Sequence, residues 1–230
     1  MGDWKPLPLA QPRRGYRYSV DALLLAGFTL AFSPRRWLDI GTGCGVIAFY
    51  LGRCLPASRG VAVERQPQLA AFARQNLADR SVLVVQGDAR TFPWRAHAFD
   101  LLVCNPPFYL PGHGKIKKDP VAAHARHAFF GTFDDFLTAL QPALTPAGRV
   151  CGVLPADVYA RLSPGWEQAG WFPDAVLRVA SFADRPAGLV CFSLVRGQPV
   201  TPASRDLVLY RAHRVYTDAA TAFFARLTRD

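Results

Sequence analysis

Asp39-Ile40-Gly41-Thr42-Gly43-Cys44-Gly45 is the stretch on which the fold turns. It follows an apolar run, Arg36 to Ile40, that reads as a strand, and it opens a helical pattern through Val46, Ile47, Phe49, Tyr50 and Leu51. A glycine-rich turn in that context lets the backbone bend sharply and approach a ligand where a Cβ would clash. The spacing is G-x-G-x-G. A dinucleotide fingerprint needs glycine at position 46, which is Val46, and a P-loop needs a Gly-Lys-Ser/Thr that does not follow.

Strand–helix alternation extends outward from this turn. Ser19 is placed to cap a helix carrying Leu23, Leu24, Ala26 and Phe28, which stops before Pro34. Val61-Ala62-Val63 is a short buried strand, and Leu69, Phe72, Ala73 and Leu77 make a helical stripe. Further strands are expected over 82–85, 100–104, 150–154, 175–180 and 189–195, with a helix over 133–144 that ends near Pro146 and Gly148. Alternation of this kind predicts an α/β fold, a mostly parallel sheet with helices on both faces. Ligands of such sheets sit at the carboxyl ends of the strands.

Three acids fall at three successive strand ends. Asp39 lies where a ligand ammonium would be met. Glu64, nineteen residues after Gly45, is placed for ribose hydroxyls, and Asp88 for an adenine amine. Thr42 and Ala89 belong to the same turns. Three such acids suit a cationic nucleoside ligand better than a pyrophosphate. The alternative is a plain tight turn with acids as helix caps.

Asn105-Pro106-Pro107-Phe108 follows the next strand. The side-chain oxygen of Asn105 and the carbonyl of Pro106 are acceptors for the two hydrogens of an exocyclic amine. Pairing draws that nitrogen toward tetrahedral geometry and aims its lone pair, so catalysis is positioning plus electrostatics. Proline offers rigidity and no competing N–H. Phe108 and Tyr109 present aromatic faces to a planar base.

These motifs make the chain resemble the class I S-adenosylmethionine-dependent methyltransferases, which implies a Rossmann-like, mostly parallel seven-stranded sheet. The N-terminal run from Gly15 through Tyr18 and Asp21 to Ala26 is similar to that of the bacterial tRNA (adenine-N6)-methyltransferases that modify the purine beside the anticodon of a valine tRNA. The tail segments Leu207–Tyr210 and Val215–Thr217 resemble the last strand and helix of that family, although Ala128 stands where many relatives carry an acid. The resemblance implies that Asp39, Gly41, Thr42, Gly43, Gly45, Glu64, Asp88, Ala89 and Asn105 bind S-adenosylmethionine, with Tyr18 and Asp21 closing the pocket. It implies that Asn105 and Pro106 hold the target amine, supported by Pro107 and the stacking ring of Phe108. Other readings are a glutamine or guanine-N2 methyltransferase acting on a release factor or rRNA, and a cofactor-binding RNA scaffold without catalysis.

Charge points to the partner. The 230 residues carry 27 Lys and Arg against 17 Asp and Glu, a net +10. Residues 39–110 and 128–195 carry +2 and −2, whereas residues 1–38, 111–127 and 196–230 carry +4, +3 and +3. The surplus is confined to the segments flanking the expected pocket, as an RNA presenting a base would require. Lys115, Lys117, Lys118, Arg13, Arg14, Arg17 and Tyr109 are the candidate RNA contacts, with Arg211 and Arg214 from the tail. Charge thus points to a nucleic acid, and the resemblance implies that it is tRNA or another structured RNA.

The five cysteines include no C-x-x-C pair and lie mostly in apolar runs, as in a reduced cytoplasmic protein. His124 and His127 have no spaced carboxylate or thiol partner, so no metal is expected. Nor is a signal peptide or a transmembrane helix. The expected organisation is a single domain over 1–230: an N-terminal lead-in over 1–34, a cofactor-binding and catalytic core over 35–195, and a C-terminal strand and helix over 196–230.

Overall fold

A computed structural model describes residues 5–13, 18–106 and 133–228. The readings made at Arg14, Arg17, Pro107, Phe108, Tyr109, Lys115, Lys117 and Lys118 lie outside the described residues.

The strands are β1 (Arg36–Ile40), β2 (Arg59–Glu64), β3 (Val82–Gln86), β4 (Phe99–Cys104), β5 (Leu144–Pro155), β6 (Trp171–Ala180), β7 (Leu189–Arg196) and β8 (Ala203–Val208). They form one sheet in the order β3-β2-β1-β4-β5-β7-β6-β8. Only β7 runs antiparallel to its neighbours. The order reverses direction between β1 and β4, so a crevice opens where Ile40 and Cys104, paired in register, end side by side.

Each central strand feeds two cores because successive side chains face opposite ways. Trp37, Leu101, Val103, Cys151, Val153 and Cys191 enter one core with α1 (Val20–Thr29) and α2 (Val46–Cys54). Ala73 and Leu77, from α3 (Pro67–Asn76) and its end, join the same core. Leu38, Ile40, Leu102, Cys104, Val150, Leu154 and Phe192 enter the other, with α4 (Phe133–Leu140) and α5 (Ala156–Gln168). Alternation within runs apolar on both faces is what a buried parallel strand needs.

Local chemistry sets the helix limits. α3 starts on Pro67, whose missing N–H is no loss in the first turn. The last helix, α6 (Asp218–Ala225), is capped by Thr217, whose hydroxyl oxygen accepts from the Ala220 N–H at 3.0 Å. Ser19 does stand at the N-cap of α1, but its side chain makes no capping hydrogen bond.

Four expectations are corrected. The sheet has eight strands, not seven; β8 is an edge strand whose Ala203 to Asp206 are all exposed, with Leu207 alone buried. A polar strand of that kind carries little apolar signal. The helix expected over 133–144 stops at Leu140, and β5 begins at Leu144 and runs through Pro146 and Gly148 across an irregularity in its pairing with β4. Residues 156–168 form α5, which carries Pro164 within it and was not anticipated. A two-stranded ribbon, β9 (Tyr210–Ala212) with β10 (Val215–Tyr216), follows β8.

Candidate active site

The turn between β1 and α2 places Gly41, Gly43 and Gly45 at φ of 66°, 60° and 87°. Glycine is the residue that adopts this left-handed region at little cost. A Cβ on Gly41 would meet no atom within 4 Å, so that position faces open space. A Cβ on Gly45 would lie 3.3 Å from the Ala73 Cα and 3.2 Å from the Leu77 Cδ1, so Gly45 is required for packing on α3. The Thr42 N–H donates to the Val63 carbonyl at 3.0 Å and fastens the turn to the end of β2.

Asp39 is 1% exposed. Its Oδ2 accepts from the Thr42 hydroxyl at 2.5 Å and from the Ala48 N–H at 3.2 Å, in the first turn of α2. Its Oδ1 is buried and has no hydrogen-bond partner among the described residues. Burial pushes the carboxyl up to about 7 against the opposing hydrogen bonds from Thr42 and Ala48, with Glu64 adding a smaller upward push.

Glu64, also buried, grips both neighbouring turns. Its Oε2 accepts from the Gly43 N–H at 2.9 Å and its Oε1 from the Gln66 N–H at 2.8 Å. An ionised carboxylate has about four acceptor sites, so lone pairs remain for a diol.

Asp88 is more committed than its position in the sequence suggests. Arg90 grips it with a fork, Nε to Oδ1 at 3.0 Å and Nη2 to Oδ2 at 2.7 Å, and Arg65 lies 3.6 Å from Oδ2. That side-chain hydrogen bonding holds the Asp88 carboxyl below its usual range. Arg90 in turn lies 5.7 Å from the Phe136 ring centroid on α4. Ala89 is buried, and its carbonyl accepts from the Trp94 indole at 2.8 Å.

Asn105 is half-buried and Pro106 buried at the end of β4. Because Ile40 pairs with Cys104, Asn105 and Gly41 leave adjacent strands one spacing of about 4.8 Å apart. The thiols nearby are poor nucleophiles: burial raises Cys44 to about 11, and raises Cys104 further.

Tyr18 packs against the core that α2 also enters, and Asp21 lies in the first turn of α1. The Asp21 carboxylate helps, after burial and Cys151, to raise the buried Cys191 thiol near the start of β7. Arg13 is exposed at the end of an N-terminal strap. That strap is pinned by Asn76, which the sequence reading missed. Its Oδ1 accepts from the Ala10 N–H, and its Nδ2 donates to the carbonyls of Ala10 and Cys44, each at 2.8 Å. One amide, 66 residues beyond Ala10, thus ties the strap to the glycine turn, a link with no local signature.

Among the described residues, no group of three or more His, Cys, Asp or Glu is placed to hold a metal ion, and no helix is long and apolar enough to cross a membrane.

Residues 38–118 match the model of a methyltransferase domain. The chain is 30% identical over 225 residues to the tRNA1(Val) (adenine(37)-N6)-methyltransferase of Aeromonas salmonicida, covering 94% of this chain and 91% of that protein. It is 28% identical over 233 residues to the protein of the same name from Serratia proteamaculans, covering 99% and 87%. Among solved structures it is similar in fold to a predicted O-methyltransferase from Agrobacterium tumefaciens, with TM-score 0.68, 16% identity and coverage of 90% and 96%. A methyltransferase from Aquifex aeolicus aligns with TM-score 0.54, 14% identity and coverage of 76% and 91%. Near-full-length similarity on both sides, together with the turn and the Asn105 edge it spans, makes this chain a member of the tRNA1(Val) (adenine(37)-N6)-methyltransferase family.

Proposed function

We propose that the protein transfers a methyl group from S-adenosylmethionine to N6 of an adenine beside the anticodon of a tRNA, as one cytoplasmic domain over 1–230. Within it, 1–34 leads in, 35–195 binds cofactor and catalyses, and 196–230 adds the last strand and helix. The observation that carries this reading is the adjacency of Gly41 and Asn105 at the switch point, an open glycine turn beside an amine acceptor.

The residues fit the cofactor. The unpartnered buried Oδ1 of Asp39 suits an ammonium group. The open side of Gly41 admits close approach, and Glu64 retains acceptors for ribose hydroxyls. Gly43 and Thr42 shape the turn, Gly45 seats it, and Asp88 with Ala89 lies where the adenine end belongs. Tyr18 and Asp21 close the pocket from α1. When bound, S-adenosylmethionine supplies an electrophilic methyl.

The chain's own part is positional. Asn105 and the Pro106 carbonyl accept the amine hydrogens and restrain the nitrogen with its lone pair directed at the methyl. No general base is needed while the amine hydrogens are held, and the proton passes to water afterwards. Pro107 stiffens this turn, Phe108 stacks on the base, and Tyr109, Lys115, Lys117, Lys118, Arg13, Arg14 and Arg17 meet the RNA.

Nucleoside mass spectrometry of unmodified valine tRNA after incubation with enzyme and cofactor should detect N6-methyladenosine. Asn105→Ala should abolish transfer and leave cofactor affinity within about threefold. Folded, cofactor-bound wild type that yields no N6-methyladenosine would sink the proposal.

A further inference from the structure

The carboxyl edge carries a second feature, four strands from Asn105. β6 and β8 run parallel to β5, so Ala180 and Val208 end at the same edge as Cys104. There the chain turns into the β9–β10 ribbon, fixed by hydrogen bonds from the Leu209 and Tyr210 N–H groups to the Ala180 and Ser181 carbonyls, each at 2.9 Å. Its base is aromatic. Tyr210 and Tyr216 stack at 5.1 Å and 15°, with Phe182 at 5.9 Å from Tyr210 and Phe224 at 5.2 Å from Tyr216.

The tip is cationic and uncommitted. Arg211, His213 and Arg214 are all exposed. Among the described residues, Arg211 pairs with the fully exposed Asp218 alone, at 4.0 Å, and Arg214 forms no ion pair. Exposed pairs at that distance contribute little. Arg185 stands in the adjoining loop, facing its neighbour Asp184 at 4.0 Å, and the turn from Phe182 to Arg185 joins it to the aromatic base. Arg178 and Asp206 neutralise each other lower on the same strands.

The tip is also strained. Arg214 sits at φ +60° in a two-residue loop where glycine would be unstrained. A strained cation on a rigid aromatic base marks a position kept for a contact rather than for the fold.

We infer that this hairpin, through Arg211 and Arg214 with Arg185 beside it, is a second contact surface for the phosphates of the RNA whose base enters the Asn105 site. The inference rests on the proposed function. Four strand spacings of about 4.8 Å put the hairpin about 19 Å from β4, roughly six stacked nucleotides at about 3.4 Å rise. The surface therefore grips the backbone away from the reacting base and carries register rather than base identity.

The test is fluorescence anisotropy with full-length valine tRNA at 50 and 200 mM salt, comparing wild type with the Arg211→Glu/Arg214→Glu variant. The log–log salt slope should become shallower by about two, so the loss of affinity over that salt range shrinks by about tenfold. Melting temperature and affinity for S-adenosylhomocysteine should stay at wild-type values. Arg214→Lys should retain most of the binding, whereas Arg214→Gly should raise the melting temperature and still weaken tRNA.

If wild type binds tRNA and the double variant matches it in affinity and slope, the hairpin inference fails and the proposed function stands. If wild type itself neither binds nor methylates tRNA, the proposed function fails, and the inference with it. A variant that keeps tRNA but loses vesicles of anionic phospholipid would overturn the inference in favour of a lipid surface.

Discussion

Replacing Gly41 with alanine separates what the glycine turn does for the fold from what it does for the ligand. Gly41 sits at φ +66°, and a Cβ built there meets no protein atom within 4 Å. The stability cost is therefore conformational only: roughly 1–2 kcal/mol for a left-handed alanine, offset by about 0.5 kcal/mol from the stiffer unfolded chain. For a chain of this length a net loss of about 1 kcal/mol lowers the melting temperature by roughly 2–4 °C. The methyl group, however, occupies the face proposed to receive S-adenosylmethionine. Affinity should fall at least tenfold, or about 1.4 kcal/mol. Gly45→Ala is the counterpart. It shares the left-handed backbone at φ +87° but also drives its Cβ against Ala73 and Leu77, for a loss of roughly 2–4 kcal/mol. The folded fraction of that variant should still bind within about threefold. Calorimetry with S-adenosylhomocysteine and thermal melting of both variants would read this inversion. A Gly41→Ala protein that binds like wild type would refute the placement of the ligand beside the turn.

Three further outcomes are expected. The Asp39 carboxyl is raised to about 7 from an unfolded value near 3.8, so the native state keeps a proton that the unfolded chain releases between those values. Its contribution is fully present below about pH 4 and is lost as pH rises through 7, at up to about 1.4 kcal/mol per pH unit. The melting temperature of Asp39→Asn relative to wild type should accordingly rise from pH 5 to pH 8, and parallel curves would show that burial does not protonate Asp39. Cofactor stabilisation of wild type should grow over the same range, because the ammonium group favours the ionised carboxylate; differential scanning calorimetry with and without S-adenosylmethionine would show it, and a flat dependence would remove Asp39 as the ammonium partner. Gly60→Ala should destabilise by roughly 3 kcal/mol in urea unfolding, because its Cβ would overlap the ring of Trp37, which is fully buried and bonded through Nε1 to the Ser58 hydroxyl at 2.9 Å; a change under 1 kcal/mol would mean that the ring can move aside.

Much of the fold was legible because the motif residues sit where backbone alternation is strongest. β1, β2 and β4 are apolar on both faces and carry Asp39, Glu64 and Asn105 at or within one residue of their carboxyl ends, so strand ends and site residues could be read together. Legibility failed where side chains or breakers decide. Pro164-Gly165 reads as a helix stop, yet α5 continues through it, with Val158 and Trp166 buried on either side. The polar run through Ser204 and Asp206 concealed the start of β8, whose end alone falls in the tail segment Leu207–Tyr210. Arg90 engaging Asp88 from two residues away, and Asn76 joining the strap to the Cys44 carbonyl, depend on geometry that no spacing rule carries.

The packing of the last helix on the first has a consequence for synthesis. α1 emerges early from the ribosome with eight of its ten residues destined for burial. Its apolar face waits for β5 and β7 from the later half of the chain, and for α6, whose Phe223 ring would lie 2.6 Å from a Cβ on Gly27. The β1–β4 half can pair and α2 can dock on α1 while the chain is still growing, whereas α1 is fully covered only after residue 223 is free. A ribosome stalled near residue 200 should therefore hold a nascent chain that binds chaperone or is cut by protease at α1 while the glycine turn is already protected. For this topology, an element made before the sheet is among the last to be secured.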